Sequence, residues 1–209
     1  ACAPYRRLHL CHHNLETIET TSTTSDTLLA EVCLAALHEG ASLQGYYGQH
    51  KLDNINSSSQ LCTVLARSFA DIGDIARGRD LYRGNKQEKE KRKKLQQNLK
   101  TIFGKIHEGL SESAKEHYKG DKENYFFQLR EDWWTANRST VWKAITCKAD
   151  TGNAYFRTTC NSADGRGGAQ ANNYCRCNGD KPDDDKANTD PPTYFDYVPQ
   201  YLRWFEEWA

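Results

Sequence analysis

Eight cysteines restrict the fold of this chain more than any other feature. They occur at Cys2, Cys11, Cys33, Cys62, Cys147, Cys160, Cys175 and Cys177. Their number is even and their spacing is irregular. The last two are separated by a single residue, whereas zinc sites show a gap of two to four residues and a second matching pair. The pattern therefore favours disulfides formed in an oxidising compartment, and it leaves open which cysteines pair.

Apolar residues recur every three to four positions in four stretches, which predicts four helices. We expect them over residues 25–40, 58–75, 87–118 and 124–147. Gly40 follows the first apolar run as a helix stop, and the segment from Gly73 to Asp80 is typical of a turn. No internal repeat and no strand pattern accompany these stretches. The predicted fold is therefore all-α, a disulfide-linked helical bundle.

A long loop and a final helix complete the predicted organisation. Residues 148–192 are rich in Gly, Asn, Asp and Thr, which predicts a loop that Cys160, Cys175 and Cys177 tether. The helix begins near Pro199, because proline is favoured in a first helical turn. The residues expected on its buried side are Val198, Tyr201, Leu202, Phe205 and Trp208.

The charge balance limits the classes of partner. Lysine plus arginine number 28, as do aspartate plus glutamate, so the formal net charge is +0. This balance argues against a nucleic-acid binder that depends on the field of the whole molecule. One local run is nevertheless basic, with Lys86, Lys89, Lys91, Arg92, Lys93, Lys94 and Lys100. Two interpretations stay open for it, a solvated helix face or a patch that binds sulfated glycan or another polyanion.

No motif for catalysis, a cofactor or a metal stands out. The sequence contains no G-x-S-x-G and no phosphate-binding loop. Asp71, Asp74 and Asp80 suggest a carboxylate site, but internal ion pairs are the expected use, with three arginines near in sequence. Those arginines are Arg67, Arg77 and Arg79. The tryptophans at 133, 134 and 142 are expected in the core. Sequons occur at residues 56–58 and 137–139.

The sequence lacks methionine, a signal peptide and a membrane-spanning apolar run. We therefore expect it to be part of a longer protein, with any secretion signal or membrane anchor outside the 209 residues.

Four long strings resemble the signatures of Duffy-binding-like domains, in order and across most of the chain. They lie at 1–11 (ACAPYRRLHLC), 70–82 (ADIGDIARGRDLY), 129–147 (LREDWWTANRSTVWKAITC) and 192–208 (PTYFDYVPQYLRWFEEW). Their wording is most similar to the alpha class of the malaria parasite's erythrocyte membrane protein 1 family. The resemblance implies a host-receptor-binding adhesion module of a variant surface antigen, on the extracellular face of the infected erythrocyte membrane. It implies cytoadherence or rosetting and antigenic variation, without a cofactor or catalysis.

The resemblance also implies partners, subdomains and disulfides. The partners would be heparan sulfate, a blood-group sugar or complement receptor, and host antibodies. Residues 1–22 would be the tail of subdomain 1, residues 23–192 subdomain 2 with a variable loop at 148–192, and residues 193–209 the first helix of subdomain 3. Cys62 would join Cys175 or Cys177, and Cys160 would take the remaining loop cysteine. Cys33 would join Cys147, and the cysteines at 2 and 11 would pair with cysteines further upstream.

Three alternative functions are weighed against this expectation. One is an erythrocyte-invasion ligand, and another is an endothelial-receptor-binding class of the same antigen family. The third is a secreted enzyme, which belongs to a different class of protein altogether.

Overall fold

The computed structural model describes residues 2–22, 24–53, 60–123, 125–161, 168–177, 180–182 and 189–209, without the side chains of 50–53 and 161. Its helices are α1 Tyr5–Leu8, α2 His13–Glu16, α3 Ser25–Asp53, α4 Leu61–Arg77, α5 Lys86–Glu108, α6 Glu112–His117, α7 Phe127–Ile145 and α8 Gln200–Trp208. Two short strands, β1 Cys160–Asn161 and β2 Gly168–Ala169, pair antiparallel, and a 3-10 helix covers Phe195–Tyr197. The predicted all-α bundle is confirmed. The short hairpin was not foreseen.

Helices α3, α4 and α7 form the centre of the bundle. Near the start of α3, Ser25 accepts a hydrogen bond of 3.0 Å from the indole N–H of Trp133. Further along, Gly40 packs against the carbonyl of Ile145. These two contacts run in the same order along both helices, so α3 and α7 are parallel. Helix α4 is antiparallel to α7, since the Arg130 side chain near the start of α7 donates to carbonyl oxygens near the end of α4.

Gly40 does not end the first helix, and that prediction is wrong. Helix α3 continues through Gly40 to Asp53. A Cβ atom at Gly40 would overlap the backbone carbonyl of Ile145. Glycine therefore stands here because α3 and α7 approach each other too closely for any side chain, not because the chain must turn.

The predicted turn at Gly73–Asp80 begins too early. Helix α4 runs through Gly73 to Arg77, and it ends at Gly78, whose φ of 78° lies in the left-handed region that glycine favours. A Cβ at Gly73 would lie 2.7 Å from Cζ2 of Trp134. This second glycine is therefore a packing position too, for the indole ring of α7.

Aromatic side chains fill the space between these helices. Trp134 is fully buried, with its ring centroid 5.1 Å from that of Phe69, and Trp142 meets the other side of Phe69 at 5.3 Å. Trp133 packs edge-on against Phe103 at 5.8 Å. The prediction that the tryptophans belong to the core is confirmed.

The third predicted helix is two helices. Helix α5 ends at Glu108, and a new cap at Ser111 accepts a hydrogen bond from the Ala114 N–H to start α6. The fourth begins at Phe127 rather than at residue 124. In both places local capping overrides the apolar periodicity. The sequon at residues 56–58 lies outside the described part of the chain.

Two disulfides tether the long loop. Cys62 of α4 joins Cys175, and Cys160 joins Cys177, which is one of the two arrangements that the resemblance left open. Cys33 and Cys147 carry free thiols, so the pairing implied for them is wrong. In the parallel arrangement of α3 and α7, Cys33 precedes the Gly40 contact by two turns, whereas Cys147 follows the end of α7. The two lie roughly 13 Å apart along the helix axes, beyond the reach of a disulfide.

Helix α8 buries the opposite face from the one predicted. Its buried residues are Gln200, Arg203 and Trp204. The residues expected in the core are instead exposed, namely Val198, Tyr201, Leu202, Phe205 and Trp208. The reason is electrostatic. Two buried carboxylates of α4, at Asp71 and Asp74, require cationic partners, and Arg203 supplies one by turning inward.

Gly40→Ala is expected to destabilise the protein by about 1–3 kcal/mol, because the new methyl group must push α3 away from the Ile145 carbonyl. Gly45→Ala in the same helix is the matched control. No atom lies within 4 Å of a Cβ placed there, so the higher helix propensity of alanine should leave stability unchanged or raise it slightly. Urea denaturation measures both, and equal midpoints would contradict the close approach of α3 and α7.

The two disulfides should differ in their contribution to stability. Cys62–Cys175 closes a sequence separation of 113 residues and Cys160–Cys177 one of 17. On the chain-entropy model these closures are worth about 5 and about 3 kcal/mol. The double alanine variant of the first pair should therefore unfold at lower urea concentration than that of the second. Cys147→Ala, at a free thiol, controls for the loss of sulfur. The reverse order would show that loop closure is not the main contribution.

Candidate functional site

The outward face of α5 presents most of the basic residues that the sequence singled out. Lys86, Lys89, Lys93 and Lys94 are exposed. Lys91 is half-exposed, with its Nζ 3.5 Å from Glu88 and 4.0 Å from Glu16. At 3.6 residues per turn, four of the lysines point within roughly 60° of one another along about 21 Å of helix. These four, Lys86, Lys89, Lys93 and Lys100, are called the lysine stripe.

Arg92 does not belong to this surface, which corrects its place in the predicted set. It is 8% exposed, forms an ion pair with Asp80 and lies 5.4 Å from the ring centroid of Tyr82. The buried Arg7 shares Asp80 at 2.5 Å and meets the same ring at 4.7 Å. Burial lowers the pKa of both arginines to about 10. Arg92 therefore fixes α5 to α1 and cannot meet a surface ligand.

Asp71 and Asp74 of α4 belong to internal ion pairs, as predicted, although most of their partners differ from those expected. Asp71 accepts hydrogen bonds of 2.8 Å from Arg6 of α1 and from Arg203 of α8. Asp74 binds Arg77 at 3.0 Å and also pairs with Arg203.

The other two arginines expected near these aspartates bind glutamates instead. Arg67 binds Glu206 at 2.9 Å, and Arg79 binds Glu131 at 2.6 Å. Sequence proximity therefore identified one of the expected partners, Arg77, and missed the two that come from the ends of the chain.

Burial and ion pairing act in opposite directions on these two aspartates. Burial by itself would raise the pKa of Asp71, but Arg6 and Arg203 hold it below its usual value. At Asp74 burial prevails and the pKa is raised. Each carboxylate is occupied by guanidinium donors, so the cluster is a clamp between helices and not an open acid–base site. Nowhere in the described ranges do three His, Cys, Asp or Glu side chains meet as a metal site would require.

A second buried cluster fixes the 3-10 helix to α7. Asp196 accepts hydrogen bonds from Arg138 at 2.7 and 2.8 Å and from the Trp134 indole at 2.8 Å. Arg138 and Ser139 of the second sequon are buried, and the Asn137 amide donates to the Trp133 carbonyl at 2.7 Å. The folded helix therefore does not offer Asn137 as a free acceptor for a glycan.

An exposed aromatic corner lies between α6 and α7, and no pattern in the sequence indicates it. Tyr125 and Phe126 have φ values of 59° and 58°, which bulky residues rarely adopt. Phe126 is buried, whereas Tyr125 is 59% and Phe127 47% exposed. The Lys100 ammonium lies 4.0 Å from the Tyr125 ring centroid. The corner, defined as Tyr125 and Phe127, therefore adjoins the end of the lysine stripe.

The described surface also contains open clefts. One of about 800 Å³ lies between α3, α5 and α7, with Ile106, Leu110 and Trp133 in its lining. At its rim the Tyr118 hydroxyl donates to Asp132 at 2.9 Å, and burial together with this bond raises the tyrosine pKa to about 12. A second cleft of about 510 Å³ lies against the aromatic corner.

Comparison with known families identifies the chain. The family model described as the Duffy binding domain matches residues 1–203. The chain belongs to this family. The resemblance found in the four sequence strings is therefore confirmed. No curated protein sequence matches this chain.

Solved structures of the family share this fold. The chain is 42% identical to the NTS-DBL1(alpha-1) domain of Plasmodium falciparum membrane protein 1 (PfEMP1) from the varO strain, with a TM-score of 0.75. The match covers 100% of this chain and 43% of that one. This chain is also 34% identical to the IT4var13 PfEMP1 DBLbeta domain bound to ICAM-1, with a TM-score of 0.68. That match covers 100% of this chain and 44% of the DBLbeta chain. The chain therefore spans less than half the length of these relatives.

The comparisons and the fold together establish a Duffy-binding-like domain of the PfEMP1 type. Its family and fold are those of adhesion domains and not of enzymes. A DBLbeta relative is described as binding ICAM-1. No helix in the described part of the chain is long and apolar enough to cross a membrane.

Asp71→Asn should cost about 3–5 kcal/mol at pH 7, because it leaves Arg6 and Arg203 buried without their shared carboxylate. The native pKa of Asp71 is lowered, so its contribution is present above the unfolded pKa of about 4 and is lost as pH falls through the native value. The difference between parent and variant should therefore shrink below about pH 4. Urea denaturation across a pH series measures this.

Glu112→Gln is the matched control for the Asp71 variant. Glu112 pairs with Lys115 at 2.8 Å, but its side chain is 90% exposed. Its removal should leave the unfolding midpoint unchanged, because water screens such a pair. Equal midpoints for the two variants would refute the clamp.

Proposed function

We propose that this chain is a host-receptor-binding adhesion module of a variant surface antigen, carried on the outer face of infected erythrocytes. Its role is cytoadherence, including rosetting with uninfected red cells, together with antigenic variation and exposure to host antibodies. It turns over no substrate and needs no cofactor. The observation that carries the proposal is the match to an alpha-class PfEMP1 domain at 42% identity over 100% of the chain.

The lysine stripe is the surface that we assign to the receptor. Lys86, Lys89 and Lys93 are exposed, and none of them forms an ion pair with another described residue. Lysines held in a row along one helix face attract sulfate groups spaced along a chain and gain from counterion release. Heparan sulfate is accordingly the favoured ligand. Blood-group sugar and complement receptor are other partners that the family resemblance implies.

The architecture supports a division between scaffold and variable surface. The aromatic core and the ion pairs of α4 hold the bundle. The variable loop at 148–192 is attached to that bundle by Cys62–Cys175 and is closed on itself by Cys160–Cys177. Several loop residues pack in the core, among them Tyr155, Ala171 and Cys175, so substitutions are expected to cost little stability only at the exposed positions of the loop. The subdomain divisions after residues 22 and 192 remain part of this proposal.

A second candidate is the endothelial class, represented by the ICAM-1-binding DBLbeta relatives. Their identity to this chain is 33% and 34%, compared with 42% for the alpha-class relative. The higher identity favours the alpha class.

Charge reversal in the lysine stripe tests the proposal. The parent chain is expected to bind uninfected red cells, and soluble heparin should compete for that binding. The double variant Lys89→Glu/Lys93→Glu should bind immobilised heparin roughly tenfold more weakly at physiological salt, because it replaces two attractive charges by repulsive ones. Helix content, followed by circular dichroism, should not change, since both side chains are exposed.

The double variant Lys115→Glu/Lys119→Glu is the matched control. It changes net charge by the same amount at α6 and the turn that follows it, where Lys115 and Lys119 already pair with glutamates at 2.8 and 2.9 Å. It should retain heparin binding. Equal losses in both variants would indicate a general charge effect and remove the stripe from the proposal. Failure of the parent to bind red cells, when a longer relative binds them, would place the adhesion site elsewhere in the domain.

A further inference from the structure

We propose that the aromatic corner is a sugar-stacking subsite that extends the lysine stripe, so that this surface recognises a sulfated glycan and not polyanions in general. The inference rests on the proposed function, because it deepens the assignment of the stripe. The Lys100 ammonium lies over one face of the Tyr125 ring, so the opposite face receives the pyranose, and Lys100 supplies charge to a sulfate group of the glycan.

The fold positions this corner at a conformational cost. Two consecutive aromatic residues in the left-handed region are strained, and such strain persists only where neighbouring contacts enforce it. Here Phe126 is buried over Gly104 of α5, and its Cε2 atom lies 3.6 Å from the point that a Cβ atom at Gly104 would occupy. The Phe126 N–H donates to the Asp121 carbonyl at 2.8 Å. These contacts determine the direction in which Tyr125 and Phe127 project.

The same contacts place the corner at the end of the stripe. Gly104 lies one turn beyond Lys100 on α5, so the residue that anchors Phe126 shares a helix face with the last lysine. The Lys100 ammonium then reaches the Tyr125 ring at 4.0 Å. Arg79 lies 5.3 Å from the Phe127 ring. A ligand that follows the lysines towards the end of α5 therefore meets an exposed aromatic surface flanked by Lys100 and by Arg79, which is already paired with Glu131.

The chemistry of the cleft favours an uncharged sugar face beside sulfate groups. The cleft of about 510 Å³ is lined by Tyr125, Phe127 and Gln128, with Asp121 and Glu123. The Asp121 carboxylate is engaged by the backbone N–H groups of Gln128 and Leu129, at 3.0 and 2.9 Å. Glu123 would repel a sulfate in the cleft itself. Sulfates are thus directed to the lysine side, and the apolar ring face to the corner.

Two substitutions at Tyr125 separate ring stacking from charge. Tyr125→Asn removes the ring, and asparagine tolerates the left-handed backbone. Tyr125→Phe keeps the ring and removes the hydroxyl. Binding of a size-defined heparin oligosaccharide should weaken roughly three- to tenfold in the first variant and stay at the parent level in the second. Binding of inorganic polyphosphate, which has charge but no sugar ring, should be the same in all three proteins.

Each other outcome overturns the subsite. Equal loss of heparin and polyphosphate binding in Tyr125→Asn would make the corner a purely electrostatic or structural element. If Tyr125→Asn loses neither heparin binding nor polyphosphate binding, the aromatic corner is not part of the binding surface. Loss of heparin binding in Tyr125→Phe would assign recognition to the hydroxyl. If the parent binds red cells but not heparin, the subsite fails while the adhesion proposal stands, because the receptor then has another chemistry.

Discussion

A carboxylate in a protein interior needs a positive partner, and two carboxylates of α4 impose this requirement on the arrangement of the whole chain. Asp71 and Asp74 are buried, and besides Arg77 of α4 itself, the guanidinium groups that satisfy them come from both ends of the sequence, with Arg6 in α1 and Arg203 in α8. Arg6 also contacts Glu207 directly at 2.8 Å. The segments on either side of the bundle are therefore held in place by charge, whereas the aromatic core holds its centre. A buried ion pair contributes little net stability, but breaking one is costly, so such a cluster specifies one arrangement more than it stabilises it.

The sequence predicts the helices well and their ends poorly, for a definite physical reason. Periodicity reports which residues are apolar, and this was enough to find the bundle and its tryptophan core. From the sequence alone, Gly40 and Gly73 are expected to be breaks, because glycine often ends helices. Both are instead positions of close approach, to Ile145 and to Trp134, which lie far away in the sequence. Local rules cannot distinguish these two uses of glycine, since the deciding neighbour is known only once the chain has folded.

The inverted face of α8 shows the limit of hydrophobic patterning itself. Its apolar residues are periodic, and in isolation they would be expected to point inward. Asp71 and Asp74 need a cationic partner in the protein interior, and Arg203 therefore points inward instead. Among the candidate site residues, the exposed lysines of α5 were identified from charge density alone, but Arg92 was included although it pairs with Asp80. The aromatic corner could not be predicted, because no pattern in the sequence indicates that Tyr125 and Phe126 adopt positive φ. The resemblance reduced the pairing of the loop cysteines, which spacing leaves open, to two alternatives, and its third pair, Cys33–Cys147, is not formed.

The disulfide arrangement has a consequence for how the long loop can change in length. Two anchors, Cys175 and Cys177, lie within three residues of each other in the loop. Cys175 is bonded to Cys62 of α4, and Cys177 is bonded to Cys160 at the β1–β2 hairpin. Segments on either side of these anchors are then closed loops of their own. The entropy of closing a flexible loop grows only with the logarithm of its length, about 0.6 kcal/mol for each doubling. Insertions and deletions between the anchors would thus be nearly neutral for folding. Lineages that carry this domain are free to drift in loop length while the anchors and the bundle beneath them keep their register.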